Sequence, residues 1–260
     1  MAITAQMVKE LRERTGIGMM ECKKALTAAD WDMEKAIEEL RKKGLAKAAK
    51  KADRDTFEWG IKIVVEWNKA YIVTVACETD FLANSDKFKA MLDDLVKFLK
   101  EKGEDKEAAQ EYINKNYALE MGENLSLKDF RIIEAPVLAS YVHSNGKLAA
   151  LLWAKEWTSE EVLKQVAMHV TAANPEFLSP NDIPEEVVEK EKEIQLEQMK
   201  NDPKMSGKPE QVLVKIIEGK MGKFKGEISL LEQAFVIDPS KKVKDVIWED
   251  SIVFFERIAI

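Results

Sequence analysis

Tyr71-Ile72-Val73-Thr74-Val75-Ala76-Cys77 runs into Glu78-Thr79-Asp80-Phe81-Leu82-Ala83-Asn84, and the chain changes character at Glu78. The first stretch is apolar, rich in β-branched residues and bounded by Lys69 and Glu78, which predicts a buried strand. After it, Asn84 or Ser85 can cap a helix that carries Phe88, Met91, Leu92, Leu95 and Phe98 at helical spacing. Thr79-Asp80-Phe81 therefore falls on a strand-to-helix turn, where the chain is forced outward. An aromatic beside an acid on such a turn can serve as a knob for another molecule. By spacing alone the plainer reading is that Phe81 folds back into the local core, as most loop-edge phenylalanines do.

Upstream, 56–59 and 61–67 are β-rich, and Asn68-Lys69 is a short turn into the strand that ends at Cys77, so a hairpin is predicted. Residues 45–55 form a charged linker helix or its fraying end. Residues 1–53 read as three short helices. Thr4 can cap the first, with Ile3 and Val8 as a hydrophobic staple and Met7, Val8 and Leu11 as its apolar face. Thr15-Gly16-Ile17-Gly18 is a tight break, because glycine tolerates positive φ. The second helix spans about 19–28 and buries Cys22, Ala25 and Leu26. The third starts near Asp30 or Asp32, presents Met33, Ala36, Ile37 and Leu40, and is ended or kinked by Gly44. So small a bundle has little core, and a mobile tether over 44–56 is expected. Met19 and Met20 follow the glycine break and cannot both face inward. Either one packs and the other is incidental, or the thioethers make an adaptable contact surface.

Downstream, a second helix is expected over about 105–121 with Ala108, Tyr112, Tyr117 and Leu119. Gly122-Glu123-Asn124 turns into strands over 127–133, 137–142 and 147–153. His143-Ser144-Asn145-Gly146 reads as the hairpin turn, since Asn-Gly suits a two-residue type I′ loop. A helix over 158–172 carries Val162, Val166, Val170 and Ala173. Strands with a helical layer thus occur twice, near 56–119 and 127–173. Pro184 opens a helix with Val187, Val188, Ile194, Leu196 and Met199. After a turn cluster at 201–209, a second helix carries Val212, Leu213, Ile216, Ile217 and Met221. A short connection between two apolar stripes means an antiparallel helical hairpin, whose outer stripe is available to a second subunit. The chain returns to strands around 228–230 and 252–255, with a short helix near 241–247. The predicted class is α+β: a helical bundle (1–53), a core N-subdomain (54–134) and a core C-subdomain (135–260), with mostly antiparallel sheets and the hairpin 184–222 inserted.

Composition narrows the function. Apolar content of 46% with 33% charged residues describes a soluble, helix-rich globular protein. Cys22 and Cys77 are far apart and offer neither a disulfide framework nor metal spacing, so the reducing cytoplasm is the expected compartment. No apolar run reaches membrane-spanning length, and the N-terminus lacks a signal-peptide pattern. The formal charge of −7 argues against a general nucleic-acid binder. The local exception is the basic run from Arg41 to Arg54, which reads as a solvated linker helix. No phosphate loop, Gly-x-Ser-x-Gly or paired metal-ligand histidine occurs, so no catalytic set, cofactor or metal site is expected. His143 sits in an exposed turn, and His169 reads as structural. The acidic pairs Glu160-Glu161 and Glu185-Glu186 lie at helix starts, where they suit the helix dipole.

Thr79-Asp80-Phe81 after a strand resembles the signature of the bacterial translation elongation factor Ts family. The block from Val8 to Leu26, Val-Lys-Glu-Leu-Arg-Glu-Arg-Thr-Gly-Ile-Gly-Met-Met-Glu-Cys-Lys-Lys-Ala-Leu, is similar to that family more specifically still. Val166-Ala167-Met168-His169-Val170, Pro175-Glu176-Phe177, 186–191 and Phe235-Val236-Ile237-Asp238-Pro239-Ser240 match in order along nearly the whole chain. The bundle with its Gly-Met loop also resembles the ubiquitin-associated fold, which presents a small apolar patch to a partner helix.

The resemblance implies a guanine-nucleotide exchange factor that binds elongation factor Tu in its GDP form and makes or breaks no bond, so it is not an enzyme. It implies that Arg12, Met19 and Met20 dock the bundle on the GTPase and that Thr79, Asp80 and Phe81 push between two of its helices. Phe81 then occupies an apolar pocket and the partner's Mg²⁺ loops are disturbed; Leu125 and His143 also approach the GTPase. No direct nucleotide, nucleic-acid or membrane binding is expected, and the hairpin is a candidate homodimer contact. The resemblance also implies that longer family members carry a further C-terminal helical module, which is not expected within these 260 residues. The competing readings are a passive adaptor using the ubiquitin-associated-like bundle without exchange, and an RNA-binding accessory protein using the basic run.

Overall fold

The structure, a computed structural model, describes residues 5–202 and 210–259. The Thr4 cap with its Ile3 staple, and most of the expected turn cluster at 201–209, lie outside the described residues. The chain divides into two compact units: 1–134 with 144–148, and 135–143 with 149–259, Ile260 aside.

The first unit begins with α1 (Ala5–Thr15), α2 (Met19–Ala28) and α3 (Met33–Ala49). Val8, Leu11, Ile17, Cys22, Leu26, Ala36 and Leu40 form their shared core. Gly16 adopts φ +68, and any side chain there would strike the carboxylate of Glu120. Asp32, not Asp30, caps α3 by accepting from the amide of Lys35 at 3.0 Å. Gly44 does not end this helix. It is buried in mid-helix, where a Cβ would lie 3.1 Å from the carbonyl oxygen of Asn114. The missing side chain serves close approach of two backbones, not termination. Leu119 joins the bundle's core from outside it.

β1 (Glu58–Glu66), β2 (Lys69–Cys77) and β3 (Ser126–Glu134) form an antiparallel sheet in the order β1-β2-β3. The segment 127–133 pairs with this sheet and not with the strands over 137–153 that follow it, with Val73 opposite Phe130, and it lies within the expected N-subdomain 54–134. Between β2 and β3 lie α4 (Asp80–Ala83), α5 (Asp86–Lys102), α6 (Lys106–Asn116) and α7 (Ala118–Met121). Ser85 caps α5. The helix expected over 105–121 is split at Tyr117, whose hydroxyl donates to Asp94 Oδ2 at 2.7 Å. Phe88, Met91, Leu92, Leu95 and Leu99 bury α5 against Val73, Val75 and Phe130. Gly60 of β1 allows this packing, since a Cβ there would come within 2.7 Å of the Phe88 ring.

The second unit holds β4 (Val137–Val142), β5 (Ala149–Ala154) and β6 (Ile252–Ile258) in the order β4-β5-β6, all antiparallel. The helix α8 (Glu160–Ala173) covers this sheet through Leu163, Val166, Ala167 and Val170. Val142 pairs with Ala149, so the hairpin loop spans 143–148 and is not the two-residue type I′ turn that Asn145-Gly146 signals. Only Gly146 is left-handed, and the Asn145 side chain accepts from the amide of Lys147 at 3.0 Å. The loop is held open because Gly146 and Lys147 give their carbonyls to the amide of Ile61 and the indole of Trp59. The helices α9 (Glu185–Lys200) and α10 (Glu210–Ile228) pair through Val188, Met199, Ile217, Met221 and Phe224, leaving Ile194, Leu196, Val212 and Val214 exposed. Residues 228–230 are not a strand. Ser229 makes one bridge to Phe177, after which the chain winds into a tight turn toward α11 (Val243–Val246). Among the described residues no helix is long and apolar enough to cross a membrane.

His169 is buried on α8. Its Nδ1 accepts from the amide of Val236 at 3.2 Å, so Nε2 carries the proton and donates to Gln233 Oε1 at 2.8 Å. Burial lowers its pKa from the usual 6.5. The unfolded chain then binds a proton more readily than the folded one. The stabilisation is complete above the unfolded pKa and is lost as pH falls toward the folded value. Urea midpoints should fall between about pH 7.5 and about pH 5.5, the range in which an ordinary histidine titrates. That step should be absent from the His169→Gln protein.

Candidate functional site

β2 is the middle strand of its sheet and is buried to its last residue, Cys77. Burial pushes the Cys77 thiol up to about 12, so it is an inert structural group. Strand pairing stops there, and the chain leaves the sheet at Glu78. Thr79 takes an extended conformation and caps α4, its hydroxyl accepting from the amide of Leu82 at 3.3 Å. The Asp80 carboxylate accepts from the amide of Phe81 at 2.9 Å, and Asn84 donates to the Asp80 carbonyl at 2.9 Å. Leu82 and Ala83 turn inward onto the core under the sheet. Successive helical residues diverge by about 100°, so Phe81 is left pointing out. It is 87% exposed. The plainer reading of Phe81 as core is thereby excluded.

The turn is held from 122–124. Glu123 Oε2 accepts from the amides of Glu78 at 2.8 Å and Thr79 at 2.9 Å, and its Oε1 accepts from the Thr79 hydroxyl at 2.5 Å. Glu78 Oε1 in turn accepts from the amide of Asn124 at 2.7 Å and faces Arg54 at 3.4 Å. In the sequence Gly122-Glu123-Asn124 reads only as a turn. The one visible signal was a carboxylate beside a glycine, with nothing to mark its partners in the distant 78–79 segment.

The other expected contact residues fall in separate places. Arg12 is exposed on α1, just before the glycine break. Met19 and Met20 open α2 and are 56% and 65% exposed, so neither packs in the bundle. Their neighbour Cys22 fills that role. Leu125 is 3% exposed and packs in the core of the first sheet, which corrects its assignment as a contact side chain. An apolar residue between a polar turn and β3 is drawn under the sheet, not out of it. His143 is exposed in the second unit, its Nδ1 3.3 Å from the Tyr141 hydroxyl. Three cations of the basic run are paired with carboxylates within the chain. Lys42 pairs with Glu38 and Glu39, Lys43 with Glu21 and Arg54 with Glu78, while Lys51 donates to the Gly122 carbonyl. Among the described residues no cluster of His, Cys, Asp and Glu is placed to hold a metal ion.

An aromatic standing in water contributes little to the fold. Phe81→Ala should shift unfolding free energy by no more than about 0.5 kcal/mol. Phe88→Ala, seven residues on and fully buried in the core, should cost roughly 3–5 kcal/mol. Urea denaturation of the two variants side by side measures the contrast.

A sequence profile of the family described as elongation factor Ts matches residues 78–260, beginning at this turn. Curated relatives extend the likeness to the bundle. The protein named Elongation factor Ts from Klebsiella pneumoniae subsp. pneumoniae is 43% identical over 258 residues, covering 95% of this chain and 87% of its own. Its namesake from Cronobacter sakazakii is 45% identical over 251 residues, with the same coverage of each chain. Taken with the exposed turn and the bundle ahead of it, these matches show that the chain belongs to the elongation factor Ts family of translation elongation factors.

Proposed function

We propose that this protein is a guanine-nucleotide exchange factor that binds elongation factor Tu in its GDP form and promotes GDP release. The observation that carries the reading is Phe81, an aromatic left in solvent on a turn whose backbone is held in one conformation. In this reading Phe81 enters an apolar pocket of the GTPase and spreads the helices beside it. Asp80 brings an acid toward the same region. Mg²⁺ tolerates little departure from octahedral geometry, so a small shift of its loops in the partner weakens nucleotide retention. Arg12, Met19 and Met20 dock the bundle. The flexible thioethers suit a helix surface that changes between nucleotide states. His143 is a further contact, and Leu125 acts by supporting the sheet beneath the turn.

The energetics follow from linkage. A factor that weakens GDP binding is itself weakened by GDP to the same degree. Only contacts made better in the nucleotide-free state shift the equilibrium toward it. The factor leaves when GTP stabilises the other state, and no bond is made or broken.

Release of a fluorescent GDP analogue from elongation factor Tu tests the proposal. Full burial of the Phe81 side chain is worth roughly 1.5–3 kcal/mol. Phe81→Ala should therefore slow stimulated release by roughly tenfold to a hundredfold, while bundle docking retains part of the binding. Asp80→Asn keeps the shape and removes the charge, separating steric displacement from electrostatic disturbance. Binding without accelerated release by the unmodified protein would instead establish the passive adaptor. Full activity of a folded Phe81→Ala protein would remove the wedge role.

A further inference from the structure

We infer that Glu123 is a positioning residue: its carboxylate holds the Phe81 turn, and the loop that carries it braces that turn against the end of the connection from the bundle. The inference rests on the exchange-factor reading and adds to it a residue that acts through Thr79 and Glu78.

The need for such a residue comes from where the sheet stops. Cys77 is the last residue of β2 paired to β1, and Ala76 the last paired to β3. The amides of Glu78 and Thr79 lie beyond both ladders and ahead of the first turn of α4. A helix as short as Asp80–Ala83 cannot hold its own orientation, because nucleation costs more than so few bonds return. Glu123 supplies what both lack. One carboxylate oxygen accepts both orphan amides, and the other takes the hydroxyl of the residue that caps α4. With all of these made, Phe81 waits in a single direction.

The same loop reaches the other way. Asn124 donates its side-chain amide to the carbonyls of Ala52 at 3.2 Å and Arg54 at 2.8 Å. Lys51 donates to the carbonyl of Gly122. Glu78 closes the ring by accepting from the amide of Asn124 and pairing with Arg54. Residues 51–54, 78–79 and 122–124 are therefore one hydrogen-bonded unit. It joins the end of the connection that follows α3 to the turn that presents Phe81. A partner that engages both the bundle and Phe81 then meets two elements already set relative to each other, and less freedom is lost on binding.

The test is GDP release from elongation factor Tu over a range of factor concentrations, together with amide hydrogen exchange on the free protein. Glu123→Ala should lower the maximal stimulated rate about tenfold, the scale set by ordering one loop, and move the half-saturating concentration by less than about threefold. Glu123→Gln, whose carbonyl can still accept both amides, should keep the maximal rate within about threefold of the unmodified protein. The amides of Glu78 and Thr79 should exchange faster in Glu123→Ala and not in Glu123→Gln. The Phe81→Ala and Glu123→Ala changes combined should be little slower than Phe81→Ala alone, since both act at one contact. An unmodified rate in Glu123→Ala, or losses that multiply in the double variant, would overturn the inference while leaving exchange intact. Failure of the unmodified protein to stimulate release would remove the exchange reading itself; faster amide exchange in Glu123→Ala would then still establish the brace, and unchanged amide exchange would overturn that too.

Discussion

The termination of β2 is the constraint on which the first unit turns. β2 is central in its sheet, and its apolar side chains are buried from Ile72 to Cys77. A strand that deep has to leave abruptly, and the backbone polar groups just past its end have no ladder to join. The Glu78 amide is partly buried there, and a buried amide left unpaired costs about as much as a lost hydrogen bond. A carboxylate from 122–124 answers that cost, and in doing so fixes the direction of the turn. Fold and candidate function are thus tied by a single requirement: the bonds that satisfy the end of the strand also aim Phe81.

The rest of the unit supports that geometry. α5 buries Phe88, Leu92 and Leu95 against the sheet, and Gly60 lets the Phe88 ring come close to β1. α6 and α7 carry the chain back to Gly122, and Gly44 lets α3 lie against the end of α6. Through Leu119 the bundle shares its core with a residue of α7. Small bundles have little core of their own, and this one gains part of what it needs from outside its own three helices. Met19 and Met20 are spared from packing, because Cys22, Ala25 and Leu26 already fill the inner face of α2.

Charge plays a secondary part. The run from Arg41 to Arg54 reads in one dimension as a solvated linker helix, with a nucleic-acid patch as the competing reading. In three dimensions three of its cations, Lys42, Lys43 and Arg54, meet Glu21, Glu38, Glu39 and Glu78. Exposed pairs of this kind add little stability, but they leave less free positive charge for a phosphate backbone. In the proposed reading, recognition rests on apolar side chains displayed at defined places, as suits a partner that is itself a folded protein.

Much was legible in one dimension because it depends on local periodicity. The helices of the bundle, the hairpin into Cys77, α5 with its cap, α8 and the paired helices α9 and α10 all follow from spacing and capping residues near in sequence. The turn at Thr79-Asp80-Phe81 was legible for the same reason, whereas the family was reached by the resemblance of whole motifs, not by periodicity. What periodicity cannot carry is which distant segment answers which demand. Whether Phe81 faces in or out depended on Leu82 and Ala83 meeting the core. Leu125 was drawn inward by a sheet assembled from strands on either side of it. Gly44 and Asn145-Gly146 carry strong local signals for a helix end and a tight turn, and both were overruled by groups brought close in the fold, the backbone carbonyl of Asn114, the indole of Trp59 and the amide of Ile61. Glu123 carried no local signal beyond a carboxylate beside a glycine. Its role exists only once the strand before Glu78 and the loop after α7 lie side by side, because a hydrogen bond depends on distance in space and not on separation along the chain.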